Sequence, residues 1–203
     1  NGKRSPLAGR NFEYFSEDPY LTGKIGAAFV KGVQSEGVGT SVKHYVANEQ
    51  ETNRMVVSSE VDERTLREIY LLPFEMIVKD ANPWTMMCAY NKVNGTPMSQ
   101  NKKYLVDVLR DEWNYEGLVM SDWGAVGDKV ASIKAGLDLE MPGPGKEDEQ
   151  ALQSFEAGEL TIEEINNRVK VVLELVKKVL SEQKDVDENG INPQVVIFPH
   201  FKR

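Results

Sequence analysis

The sequence predicts an α/β fold, read as a partial (β/α)8 TIM-type barrel of about four parallel strands with flanking helices. Three observations carry this. Short apolar or β-branched runs alternate with segments of helical periodicity along the chain. The runs "GLVMS" and "TMMCA" are apolar without alternation, as expected of parallel strands buried on both faces. Finally, successive runs end in reactive or hydrogen-bonding residues, the placement found at the C-terminal rim of such barrels.

In chain order, "DPYLTGKIGAAFVKGVQSEG" places apolar residues at helical spacing and closes on Gly37. "VGTSVKH" reads as a strand, and a long polar loop is expected from about Val46 to Glu60. Asp62 caps a helix, "ERTLREIYLLPFEMIVKD", in which Pro73 predicts a kink or break. The pattern then repeats. Strand "TMMCAY" is followed by loop "NKVNGTPMSQ" and helix "NKKYLVDVLRDEW"; strand "GLVMS" leads to helix "AVGDKVASIKAG"; strand "LDLEM" stops at the breaker "PGPG". A long amphipathic helix, "TIEEINNRVKVVLELVKKVLSE", starts with Thr161 and Glu164 at the spacing of a capping box. Residues 1–182 are expected to form the central and C-terminal part of a barrel. Residues 183–203 read as a linker towards a further domain, and the loop-like start at Asn1 suggests a piece of a longer protein.

Composition narrows the function. The 203 residues carry a formal net charge of −8, which disfavours nucleic acid and anionic membrane surfaces as partners. A single cysteine, Cys88, excludes an internal disulfide, and two histidines cannot build a His-rich metal site. No segment has the roughly 20 apolar residues of a membrane span.

The rim residues are Lys43 and His44, Tyr90, and Asp122 with Trp123. Each has competing readings. Asp122 could simply cap the next helix, yet Trp123 beside it offers an aromatic face suited to a sugar ring. Lys43 could form a Schiff base or an ion pair. His44, with Glu49 and Glu51 near in sequence, could begin a metal site or be a hydrogen-bonded structural histidine. Met86, Met87 and Cys88 fit strand packing.

Four segments, "GRNFEYFSEDPYLTG", "KHYVANEQETNR", "MCAYNKVNG" and "GLVMSDWGA", occur in an order and spacing that resembles family 3 glycoside hydrolases of the β-glucosidase type. The resemblance runs from about Lys3 to Gly143. It implies a retaining, exo-acting β-glycosidase that removes terminal non-reducing β-D-glucosyl residues. In that family the aspartate of "SDW" is the nucleophile, which assigns Asp122. Arg10, Lys43 and His44 take the positions that bind hydroxyls of the terminal sugar. Tyr90 matches a tyrosine beside the nucleophile, Met87 a methionine lining the pocket, and Trp123 an aromatic wall near the entrance. Arg54 becomes a supporting charge.

A carboxylate below the anomeric carbon stabilises an oxocarbenium-like transition state and can attack it. Cations such as Lys43 and Arg10 are expected near Asp122 to keep it ionised. The resemblance implies no metal or organic cofactor, and its partners are a β-linked oligosaccharide or glycoside and an α/β sandwich domain that carries the acid/base carboxylate. The early barrel strands, with an aspartate that grips the sugar, precede "GRN" in the family and have no counterpart in this sequence. The alternatives are a β-xylosidase or another family 3 exo-glycosidase, and, outside enzymes, a catalytically silent sugar-binding module.

Overall fold

The structure is a computed structural model describing residues 1–143 and 145–182; the expected linker, 183–203, lies outside the described residues. Helix α1 (Pro19–Gln34) starts where Asp18 accepts a hydrogen bond from Leu21 N at 2.8 Å, with Pro19 in the first turn. It ends before Gly37, whose φ of +76° suits a residue without a Cβ. Gly23 and Gly26 bring α1 close to a later helix: a Cβ on Gly26 would sit 2.6 Å from Ile77 Cδ1.

Strand β1 (Ser41–Tyr45) follows, then a long loop in which β2 (Ser58–Ser59) is a brief interruption. Asp62 caps α2 (Glu63–Thr65), accepting from Thr65 N at 3.0 Å. The chain continues as a π-helical stretch, Leu66–Leu71, and then α3 (Leu72–Ala81). Pro73 lies in the first turn of α3. The helix widens ahead of it instead of breaking, which accommodates the proline ring and the N–H it lacks.

Strand β3 (Thr85–Cys88) is followed by β4 (Lys92–Val93) and β5 (Thr96–Pro97). A second π-helical segment (Lys103–Glu112), β6 (Leu118–Met120), α4 (Lys129–Ala135), α5 (Lys146–Glu156) and α6 (Ile162–Glu182) complete the described chain. Thr161 and Glu164 cap α6 reciprocally, as their spacing predicts.

The main sheet is parallel, in the order β1-β3-β6, with Ser41 opposite Thr85 and Thr85 opposite Leu118. The expected fourth strand, "LDLEM", contributes one parallel bridge, Met120 to Leu139. This arc of parallel β/α units is the α/β fold the sequence predicts. Both side chains of the Leu118–Val119 pair are buried, whereas β3 alternates, with Met86 and Cys88 buried and Thr85 and Met87 half-buried. The buried side, Met86 and Cys88, packs into the main hydrophobic core.

Three features depart from the sequence reading. β2, β4 and β5 form a small second sheet within segments expected to be loops, with the hairpin turning at Asn94-Gly95. Helix α5 was not expected, and α4 begins at Lys129 because Asp128, accepting from Ala131 N at 2.9 Å, is its cap.

Tyr45, Phe74 and Trp113 meet edge to face in the core, where Tyr45 Oη donates to Tyr104 O at 2.9 Å. The sheet is thereby fixed to its outer helices, and the rim rests on a rigid base.

Candidate active site

The C-terminal ends of β1, β3 and β6 lie side by side, so the residues that follow share one rim. Strand alternation would send Lys43 and His44 to opposite faces. The pairing register slips between Val42 and Tyr45, and both side chains join the same cluster.

Asp122 sits just past β6 and is buried. Its Oδ1 accepts from Trp123 N at 2.7 Å. Its Oδ2 accepts no hydrogen bond and lies 3.5 Å from His44 Nε2. One carboxylate oxygen is therefore tethered by the backbone, and the other faces His44 without a hydrogen bond.

The loop carrying Asp122 is held by the segment after α4. Ser121 N donates to Leu139 O at 2.9 Å, Met141 N donates to Ser121 Oγ at 2.8 Å, and Gly124 N donates to Met141 O at 2.8 Å. Asp122 does not cap the next helix; Asp128 does.

His44 is almost fully buried. Burial, followed by repulsion from Arg10 and Lys43, lowers its pKa to about 3, so it is neutral at ordinary pH. In the tautomer that carries its proton on Nε2, facing Asp122, Nδ1 accepts from Tyr14 Oη, 3.5 Å away.

Arg10 and Lys43, expected near Asp122 as cations that keep it ionised, have a different carboxylate as their partner. Both converge on Glu13: Arg10 Nε and Nη2 donate to its two oxygens at 2.6 and 2.7 Å, and Lys43 Nζ lies 3.2 Å from Oε2. The nearer carboxylate captures the cations because Arg10 and Glu13 share one helical turn, Asn11–Glu13 with its cap. The Arg10 hydrogen bonds, with help from Lys43, hold the Glu13 pKa down to about 2.

Tyr90 Oη donates to Trp123 O at 2.8 Å, and Arg54 stacks over the Tyr90 ring at 4.7 Å while pairing with Glu51 at 2.7 Å. Trp123 is 54% exposed, presenting its ring at the rim. Met87 is half-buried on β3. Glu13 and Tyr14 were missed at the sequence level. The only local signal was an opposite charge three residues after Arg10, a spacing common on any helical turn.

The metal alternative for His44 finds no geometric support. Glu51 is engaged by Arg54, Glu49 accepts from Gly2 N, and among the described residues no three His, Cys, Asp or Glu side chains are grouped to hold an ion. The Schiff-base alternative for Lys43 needs a desolvated amine, whereas this side chain is 41% exposed and paired with Glu13.

A buried rim carboxylate, a neutral histidine, two cations and an exposed aromatic ring thus share one end of a parallel β/α sheet, the rim on which β/α-barrel domains carry their sites. The family model described as "Glycosyl hydrolase family 3 N terminal domain" matches residues 3–175, and the chain belongs to this family. It is 52% identical over 186 residues to thermostable beta-glucosidase B of Acetivibrio thermocellus, covering 91% of this chain and 25% of that protein. It is also 52% identical over 178 residues to an exo-alpha-(1->6)-L-arabinopyranosidase of Bifidobacterium breve, covering 88% of this chain and 23% of that protein. Among solved structures, the GH3 beta-glucosidase of Bifidobacterium adolescentis superposes with a TM-score of 0.87 at 53% identity, covering 92% of this chain and 28% of that one. The chain thus spans about a quarter of the length of the relatives it matches.

Proposed function

We propose that the protein to which these residues belong is a retaining, exo-acting β-glycosidase, β-glucosidase-like in specificity, with Asp122 as nucleophile. The observation that carries this is the Asp122 carboxylate, tethered through Oδ1 and free at Oδ2 beside the buried, neutral His44. In the proposed reaction Oδ2 attacks the anomeric carbon as its bond to the aglycone oxygen breaks, that oxygen taking a proton from the acid/base carboxyl; water, giving a proton back to the same group, then attacks the anomeric carbon and frees the Asp122 carboxylate, with net retention. Arg10 and Lys43 donate to hydroxyls of the terminal sugar. His44, with Nδ1 turned to Tyr14, offers its Nε2–H beside Asp122 to a hydroxyl while remaining uncharged. Trp123 supplies an apolar face at the entrance, Met87 lines the pocket, and Tyr90 and Arg54 support the rim around the nucleophile.

Retention requires a second carboxyl group about 5–5.5 Å from the first. The family resemblance supports placing it in a sandwich domain beyond residue 182, with 183–203 as the connection. A second sugar specificity deserves equal testing, because an arabinopyranosidase and a glucosidase are related to this chain at the same identity; a β-xylosidase belongs to the same set.

The test uses the full-length protein. A 2-deoxy-2-fluoro-β-glucoside should inactivate it and leave a glycosyl ester on the peptide containing Asp122, read by mass spectrometry. Replacement D122N should lower turnover by at least about 10³-fold while sugar affinity persists. Labelling at another residue, or a tenth of wild-type activity in D122N, would overturn the assignment. No labelling by any glycoside would favour a silent sugar-binding module.

A further inference from the structure

Glu13 is a charged group at the site for which the proposed chemistry has no direct use. It is four-fifths buried, and its two oxygens take three donor contacts: Arg10 Nε at 2.6 Å, Arg10 Nη2 at 2.7 Å and Lys43 Nζ at 3.2 Å. The first two form a bidentate, charge-assisted fork, which fixes the plane of the guanidinium as well as its position. The third ties the opening loop to the middle of β1, thirty positions along the chain. Glu13 is itself held by its turn, its N–H donating to Arg10 O at 3.0 Å. Without it, two cations would face each other and the buried His44 with no intervening anion, and both long side chains would be free to swing into water.

The geometry points to Glu13 as a positioning residue that locks Arg10 and Lys43 into one preorganised unit for binding sugar hydroxyls. This rests on the glycosidase reading above. Arg10 Nη1 has no partner on Glu13, and Lys43 uses one of its three protons there, so both retain donors for the sugar. The carboxylate is not a second general acid. With its pKa near 2 it carries no proton at neutral pH, and each of its oxygens already faces a cationic donor. The role is electrostatic and geometric: it lowers the entropy lost when the sugar immobilises two long side chains.

The experiment compares the full-length wild type with E13Q, which preserves shape but not charge, using an aryl β-glucoside and D-glucose as a competitive inhibitor. The expected result is a rise of at least about tenfold in both KM and the glucose inhibition constant, with kcat within roughly threefold. In an R10M/K43M background the same change should cost less than about twofold, because Glu13 then has nothing to position. Wild-type KM in E13Q overturns the inference, and so does a full penalty that persists in the double-variant background. If E13Q does not fold, E13D, which retains charge but loses reach, is put through the same cycle with the same criteria. Fluoro-sugar labelling separates the two levels of argument. Asp122 labelled with an unaffected E13Q defeats only the Glu13 role, whereas a label elsewhere defeats the reading on which it rests.

Discussion

Asp138 offers a quantitative test of what holds the loop carrying Asp122 in place. Its side chain is fully buried; Oδ2 accepts from Arg110 Nη2 at 2.6 Å and from Val119 N at 2.8 Å, and Oδ1 accepts from Arg168 Nη1 at 2.8 Å. Val119 lies in β6, three residues before Asp122. Replacement D138N keeps the volume but removes the charge and turns an amide N–H₂ towards at least one donor. Losing one partner of a buried ion pair costs about 3–5 kcal/mol. Arg110 and Arg168 are 16% and 23% exposed, and their partial rehydration reduces this to about 3 kcal/mol. For a domain of this size that is a fall of roughly 6–12 °C in melting midpoint. The assay is thermal inactivation of the full-length protein beside D80N, which breaks the exposed Lys24–Asp80 pair and should shift the midpoint by at most about 3 °C. A D138N midpoint within about 2 °C of wild type would refute the reasoning that this carboxylate clamps β6.

Three further outcomes follow from the same geometry. Because burial depresses the folded-state pKa of His44 from 6.5 to about 3, the unfolded chain binds the extra proton between those values, and the His44 contribution to stability is lost as pH falls. The stability gap between wild type and H44N should therefore narrow from about pH 7 to about pH 4.5, and a constant gap would contradict a neutral histidine. Replacement Y14F leaves His44 Nδ1 without its donor and should cost about 1 kcal/mol, roughly fivefold in kcat/KM, with a mixed-tautomer signal for His44 by nitrogen NMR. The stripe Val169, Leu173, Val176 and Leu180 on α6 is 46–63% exposed, so the 203-residue chain by itself should elute as a dimer or larger species in size-exclusion chromatography; a monodisperse monomer would show that this face is tolerated in water.

The sequence by itself determined whatever depends on near neighbours. Asp18 and Asp62 mark helix starts because a cap acts within three residues, and the Thr161–Glu164 box is legible for the same reason. The parallel β/α alternation is written in hydrophobic periodicity, and the gathering of Lys43, His44, Tyr90 and Asp122 on one rim follows from where their strands end. The tertiary structure decided whatever depends on distance along the chain. The two-residue strands β2, β4 and β5 are too short to produce a period. "LDLEM" is reduced to a bridge by pairing that local composition does not encode. Most consequentially, Lys43 meets Glu13, thirty positions away, rather than Asp122, and Asp138 gathers arginines from two different helices. Charge pairing falls off steeply with separation, so which carboxylate a cation meets is settled only when the fold brings distant segments within a few ångströms.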